Sequence, residues 1–513
     1  MTLSAKKTIA LLLAGLLLFS GCNSGTVPQG EETGKQDDTA NTGETTPAET
    51  EPEVPDDYTL RMQVEDSLPA DADLGGETIH IAYMQAYQND ALGDEDGADV
   101  VGDAVYTRNA VVRDRLQADI QFVNGGLGWD LYRDVLQAAM MASSHEFDIL
   151  HVWQSWFAPF VTNGSLLPVN DAPYIDYTQP WWAVDFMKEF SVNGTTFHFL
   201  AGDINPGLLT SQGCIYFNKP LYANYFESAD NLYQMVLDGK WTYEALYSQS
   251  EAFYVDVNGD GLKDTNDQLG YGIITGNIID HLYYDAGAEM TTRDTDGKPL
   301  LNGNNEHNVN VMEWILRFCY DNTGALLYPA TEEGLQEIRE NFIGGKNAFL
   351  LSFLNIASRL RDMEDDYGII PYPKYDENQT TYLSLVHDDA PLYALPADCT
   401  KYDDCCLVLE AMAAESYRRV TLVNYEKALK TKYVRDAVSS RIIDIIRDNP
   451  TTDFGYIYSY ALDNLGLYAR SIASKGKNIY TSYYRSHEAR QFADHLLPLH
   501  HRPAGSGTFG ESV

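Results

Sequence analysis

Apolar positions early in the chain switch between two periods. In "ETIHIAYM", Ile79, Ile81 and Tyr83 alternate with polar neighbours, the two-residue rhythm of a half-buried strand. "GDAVYTRNAVVRDRLQA" then sets Val105, Val112 and Leu116 at helical spacing. "DIQFV" reads as the next strand, "WDLYRDVLQAAMMASS" as a second helix and the apolar run "FDILHVW" as a third strand. Strand–helix–strand–helix–strand predicts a doubly wound, parallel sheet. Ligands of such sheets bind beyond the carboxyl ends of the strands. Those ends fall at Tyr83 to Tyr87, Asn124 to Gly126 and Trp153 to Trp156.

A second α/β unit begins at "GCIYFNK". It runs through the helix "TYEALYSQSEAFY", the strand "YGIIT", the Asp-Gly hairpin "TTRDTDGKPLL" and the helix "VMEWILRFCYDN". "FIGGKNAFLLSF", "DYGIIPYPKYD" and "PLYALPAD" follow, and the pattern from "DDCCLVLEAMAAES" to about Ser474 is nearly all helical. No internal repeat at solenoid periods interrupts this order.

Composition supplies enough apolar material for two or more packed domains: 513 residues, 44% hydrophobic. A net charge of −40 argues against nucleic acid as a partner, because phosphate binding needs a basic patch. At the amino terminus Lys6 and Lys7 precede an apolar run, Ile9 to Phe19, too short for a comfortable membrane span. It ends in "FSGC", which resembles a bacterial lipoprotein signal with Cys22 as the lipid acceptor. Residues 1–21 are then a signal peptide. The acidic Thr/Glu/Gly/Pro-rich stretch that follows reads as a tether, taken as residues 22–74. The remaining cysteines, Cys214, Cys319, Cys399, Cys405 and Cys406, are too few and too scattered for a disulfide framework. Cys399 could pair with Cys405 or with Cys406, or all could be buried thiols.

"DVNGDGLKDTND" sets Asp256, Asn258, Asp260, the Leu262 carbonyl, Asp264 and Asp267 in the rhythm of a calcium loop, with Gly261 at its sharp turn. Only one copy is present, and it leads into a strand. That argues against a dockerin or a sensor pair and for structural calcium holding a helix to a strand.

Taken in order, the lipoprotein signal, "GDAVYTRN", "FDILHVW", "NGSLLPVND", "YIDYTQPWW", "CIYFNK", "GKWTYEALYSQSEAF", the acidic loop, "FIGGKNAF", "YGIIPYPKYD" and "YALPAD" resemble the extracellular solute-binding proteins of ABC importers, the broad family that includes maltose-binding protein. The resemblance implies an α/β, two-lobed periplasmic-binding-protein-like fold with a hinge, each lobe a doubly wound sheet flanked by helices. It implies a lipid-anchored monomer on the outer face of the cytoplasmic membrane that does no chemistry, closes on a small solute, expected to be a carbohydrate, and passes it to permease subunits. Expected crossings near Ala201 to Asn205, Ala325 to Thr331 and Tyr382 to Pro396 give lobe 1 as residues 75–203 with 331–385. Lobe 2 is then 204–330 with 386–500, and residues 501–513 form a loose tail.

A sugar needs aromatic faces for its C–H surfaces and planar polar groups for its hydroxyls. Tyr83, Gln85 and Tyr87 follow the first strand, and Trp153, Gln154 and Trp156 the third. Asp203 and Asn205 sit at one expected crossing, His387 and Asp388 at another. Strand termini are expected to expose Trp153 and Trp156, whereas the Trp181–Trp182 pair gives at least one ring to packing. A surface adhesin or a calcium-dependent carbohydrate-binding module would use similar residues. A glycoside hydrolase would need two carboxylates across one pocket at a defined separation, which spacing along the chain does not reveal.

Overall fold

The computed structural model describes residues 57–95, 99–360, 363–424 and 437–495. Cys22, the signal, most of the tether and residues 501–513 lie outside the described residues.

Two five-stranded mixed sheets organise the chain. In the first, Thr78–Tyr83 is flanked in parallel by Asp119–Asn124 and Ile149–Trp153; Pro391–Ala394 then runs antiparallel to Ile149–Trp153 and carries Phe199–Leu200 at the edge. Ile149–Trp153 is buried along its whole length, as its unbroken apolar run requires. The intervening helices form where expected, at Val100–Leu116 and Trp129–Ala142. The Asp99 side chain caps the first by accepting the Gly102 N–H. Val105, Val112 and Leu116 are buried, and the helix packs against Tyr402–Glu415.

In the second sheet, Gly213–Asn218 lies between two antiparallel strands, Tyr367–Ile370 and Asn347–Phe353. Leu269–Ile273 and Ala325–Leu327 extend it in parallel beyond Asn347–Phe353. The two sheets meet at a seam, where Ser384–Leu385 pairs with Pro450–Thr451 and Val386 bridges to Gln212.

These pairings correct the expected lobe boundaries. Residues 331–385 supply Asn347–Phe353 and Tyr367–Ile370 to the second sheet, not the first. Residues 386–500 do not all follow the second sheet, because Pro391–Ala394 belongs to the first. No crossing occurs at 325–331, where Ala325–Leu327 pairs with Leu269–Ile273 inside the second sheet. The physical reason is that each sheet holds one internal strand antiparallel to both its neighbours, Pro391–Ala394 in the first and Gly213–Asn218 in the second, which a strand–helix period does not anticipate. The seam at 384–386 lies within the third expected crossing.

Trp181 and Trp182 are both buried, and the Trp182 indole N–H donates to Glu410 Oε2 at 2.9 Å. The described cysteines are free, with the Cys399 and Cys405 sulfurs 3.8 Å apart.

Several carboxyl groups are raised by burial. Burial pushes Glu410 up to about 7. It does the same to Asp453, although the Met290 and Thr291 amides donate to Asp453. Asp203 rises to about 6 for the same reason. A carboxyl group whose folded pKa exceeds its unfolded value holds extra protons in the native state between about pH 4 and 7. Stability therefore falls as pH rises through that window, by up to about 1.4 kcal/mol per pH unit for each such group. Carboxylates held low, such as Asp66 beside Arg115 and Arg418, act only below it. Neutral His151 and His198, both held low by desolvation, oppose this below about pH 6.5, but the raised carboxyls together with His387 outweigh them, so the melting temperature is expected to be higher at pH 5 than at pH 7.5, and a profile rising across that interval would refute this.

Candidate functional site

Beyond the carboxyl ends of the first sheet, aromatic side chains from three turns converge. Tyr87 follows the first strand, Trp129 opens the helix after the second, and Trp153 ends the third, with Trp156 one turn later. Trp153 is the floor: it is 0% exposed, with ring centroids 4.7 Å from Tyr87 and 4.9 Å from Trp129. The expectation that Trp153 faces solvent is therefore corrected, because Tyr87, Trp129, Tyr132 and Phe157 close over it. Trp129 and Trp156 remain half-buried and stack, 5.9 Å apart at 25°. Tyr460 extends the row at 5.2 Å, and the Arg133 guanidinium lies 5.5 Å from the Trp156 ring centre.

A polar cluster adjoins these rings. The Tyr87 hydroxyl donates to Asp389 Oδ2 at 3.2 Å, and His387 Nδ1 lies 2.6 Å from Asp389 Oδ1 and 3.2 Å from Asp388 Oδ1. Burial works against a charged His387, but the two carboxylates prevail and raise it to about 9, while Asp389 is held low. Arg470 grips the buried Asp280 with two nitrogens and reaches Asp388 at 3.5 Å. The second sheet contributes the strand ends: Asn277 Nδ2 lies 3.3 Å from His387 Nε2, and the Phe353 ring 4.6 Å from the His387 ring. Groups beyond both sheets thus meet at the seam.

The other residues expected from the sequence divide. Gln85 is half-buried and contacts Gln88 and Asn124 beside Tyr87. Gln154 is buried and donates to the Val386 and His387 carbonyls, so it ties the first sheet to the seam. Tyr83 is 7% exposed and packs against Phe122, not against the Tyr87 cluster. Asp203 and Asn205 line a separate cavity of about 180 Å³ with Trp181 and Arg447. A larger cavity, about 820 Å³, lies between Trp182, Glu189, Tyr284 and Asp453 and contains none of the expected site residues. Trp129, Asn277, Phe353, Tyr460 and Arg470 were not among the expected residues. Trp129 stands just past the end of the second strand, so the strand-end rule could have found it. Tyr460 and Arg470 carry no local signal, because their partners lie far from them along the chain.

In the loop 256–267, the carboxylates accept the loop's own amides. Asp256 takes the Gly259 and Gly261 N–H groups at 2.7 and 3.0 Å, and Asp260 takes Leu262 at 2.7 Å. Asp264 accepts from Asn266, while the buried Asp267 accepts from Asp264 and Val257. Asn258 donates to Asp260 at 2.9 Å. Gly261 has φ 75°, open to glycine at little cost. The Val255–Gln268 bridge closes the loop between helix Tyr243–Ala252 and strand Leu269–Ile273. Among the described residues no group of three or more His, Cys, Asp or Glu is gathered to hold a metal ion.

No protein-family model and no curated protein matches the chain. Solved structures do. UgpB from Mycobacterium tuberculosis, in complex with glycerophosphocholine, aligns over 83% of this chain and 100% of its own at 13% identity and a TM-score of 0.54. The GacH receptor of Streptomyces glaucescens, solved unliganded and with acarbose, covers 80% of this chain and 99% of its own at 12% identity and a TM-score of 0.53. The chain has the two-lobed fold of these binding proteins. The maltose/maltodextrin-binding domain MalE from Bdellovibrio bacteriovorus, bound to maltotriose, repeats the likeness over 81% of this chain and 100% of its own, at 14% identity and a TM-score of 0.51. The expected fold class is confirmed on that basis, with the sheet memberships corrected as above.

Proposed function

We propose that the chain is the solute-binding component of an ABC importer and captures a carbohydrate between its two sheets. The observation that carries this reading is the stacked Trp129–Trp156 pair beside the Asp389–His387–Asn277 cluster. Flat rings cover sugar C–H faces, while carboxylates and amides satisfy the hydroxyls. Several structural neighbours support it: one is bound to maltotriose, another was solved with acarbose. Ligand would favour a closed arrangement of the lobes because only that arrangement touches it from both sides. Lipidation at Cys22 would hold the protein, as a monomer, at the outer face of the cytoplasmic membrane beside permease subunits. No chemistry on the sugar is part of this role.

A thermal-shift screen of mono- and oligosaccharides tests the reading. At least one sugar should raise the melting temperature saturably and be recovered intact. Hydrolysis of that sugar would instead favour a glycosidase, and a screen with no hit, together with a stable complex with another surface protein, would favour the adhesin.

Calcium in the loop 256–267 belongs to the same proposal as a structural clip. Its Asp256, Asn258, Asp260 and Asp264 side chains, the Leu262 carbonyl and Asp267 would supply oxygen donors. Chelation should lower the melting temperature, and returned calcium should restore it. A temperature unchanged by chelator, with no calcium in the purified protein, would remove the clip from the account.

A further inference from the structure

The charged groups around the aromatic row are unevenly matched. Among the described residues, the cations near the rings are already engaged: His387 with Asp388 and Asp389, Arg470 with Asp280 and Asp388, and Arg133 with Asp130 and Asp134. Arg108 is 0% exposed and spends its donors on the Ile204 and Ala91 carbonyls, Ser416 and Asn109. An anionic solute would therefore have to break an existing ion pair.

Asp90 is different. It lies one turn after Tyr87, in the helix Gln88–Ala91, and shares a shallow cavity of about 310 Å³ with Gln85, Tyr87 and Gln88. Among the described residues its carboxylate has neither a hydrogen bond nor an ion pair. Burial raises it to about 7, and the neighbouring Asp389 and Asp99 carboxylates push the same way, against the buried Arg108. The Tyr87 hydroxyl, from the same turn as Asp90, donates to Asp389, whose side chain is 31% exposed. Gln154, 0% exposed at the seam, keeps its side-chain oxygen without a donor. The polar side of the cleft is thus short of donors and has one carboxylate to spare.

We infer that the preferred solute is an amino sugar, its protonated amine held between Asp90 and Asp389 while its ring lies against the Trp129–Trp156 row. This rests on the reading of the cleft as a carbohydrate site. An ammonium supplies three donors and the positive charge that relieves the repulsion between the two carboxylates. N-acetylation removes that charge, and a uronic acid adds to the repulsion.

Titration calorimetry on the intact protein at neutral pH tests the assignment. The probes are glucosamine, galactosamine and mannosamine with their β-1,4 dimers, compared with the parent sugars, the N-acetyl forms and the matching uronates. One amine should bind at least about tenfold tighter than its parent and its N-acetyl form, the scale of one partly screened ion pair, and the uronates should be weakest. Asp90→Asn should lower the amine-to-parent affinity ratio, and Asp389→Asn should do the same independently. If parent sugars bind as tightly as amines, or neither variant changes the ratio, the inference is wrong while the carbohydrate reading stands. If no probe of any class binds, both fall.

Discussion

Trp156→Ala is expected to weaken sugar binding by about 30-fold, the loss of roughly 2 kcal/mol that accompanies removal of a central aromatic contact. The ring is half-buried, stacked on Trp129 and flanked by Tyr460 and Arg133, so it offers a flat face without holding up the core. Stability should change little, which separates this variant from a folding defect. Calorimetric affinity together with the unfolding midpoint reads both quantities. Unaltered affinity in a well-folded Trp156→Ala protein would remove the aromatic row from the site.

Trp153→Ala should behave in the opposite way, with its main effect on stability. The side chain is 0% exposed and wedged among Tyr87, Trp129, Tyr132 and Phe157, with centroid separations between 4.7 and 5.9 Å. Removing a buried tryptophan leaves a cavity and costs about 3–5 kcal/mol. Denaturant unfolding should show that loss as a lower midpoint at nearly constant slope. Binding should weaken too, because Tyr87 and Trp129 lose the surface they rest on. A loss below about 1 kcal/mol would mean the site collapses around the gap and that Trp153 is not the floor.

These two tryptophans also show what the sequence made legible. "FDILHVW" announces a buried strand ending at Trp153, and Gln154 just beyond it donates to the Val386 and His387 carbonyls at the seam. Which of the two rings faces outward was not legible, because it depends on Tyr87 and Trp129 arriving from other strands. Tyr83 illustrates the same limit: it sits at a strand end, yet its ring turns toward Phe122 on the neighbouring strand. Strand and helix positions were readable because the apolar period changes sharply between them. Sheet membership was not, since 347–353 and 367–370 join the second sheet by antiparallel pairing, which leaves no mark in their own periodicity. His387 and Asp388 were expected at a crossing between lobes, but their partners Asn277, Phe353 and Arg470 are set by the meeting of two sheets. The acidic loop was the most conspicuous motif in the chain, and it lies between helix Tyr243–Ala252 and strand Leu269–Ile273 of the second sheet.

The most direct measurement of the central claim is a tryptophan fluorescence titration of the intact protein with the sugars that raise its melting temperature, run beside a Trp129→Ala/Trp156→Ala double variant. A sugar bound at the junction of the two sheets should give a saturable change in the parent protein and little or none in the variant. An equal, saturable response in both proteins, or no response to any sugar, would contradict it.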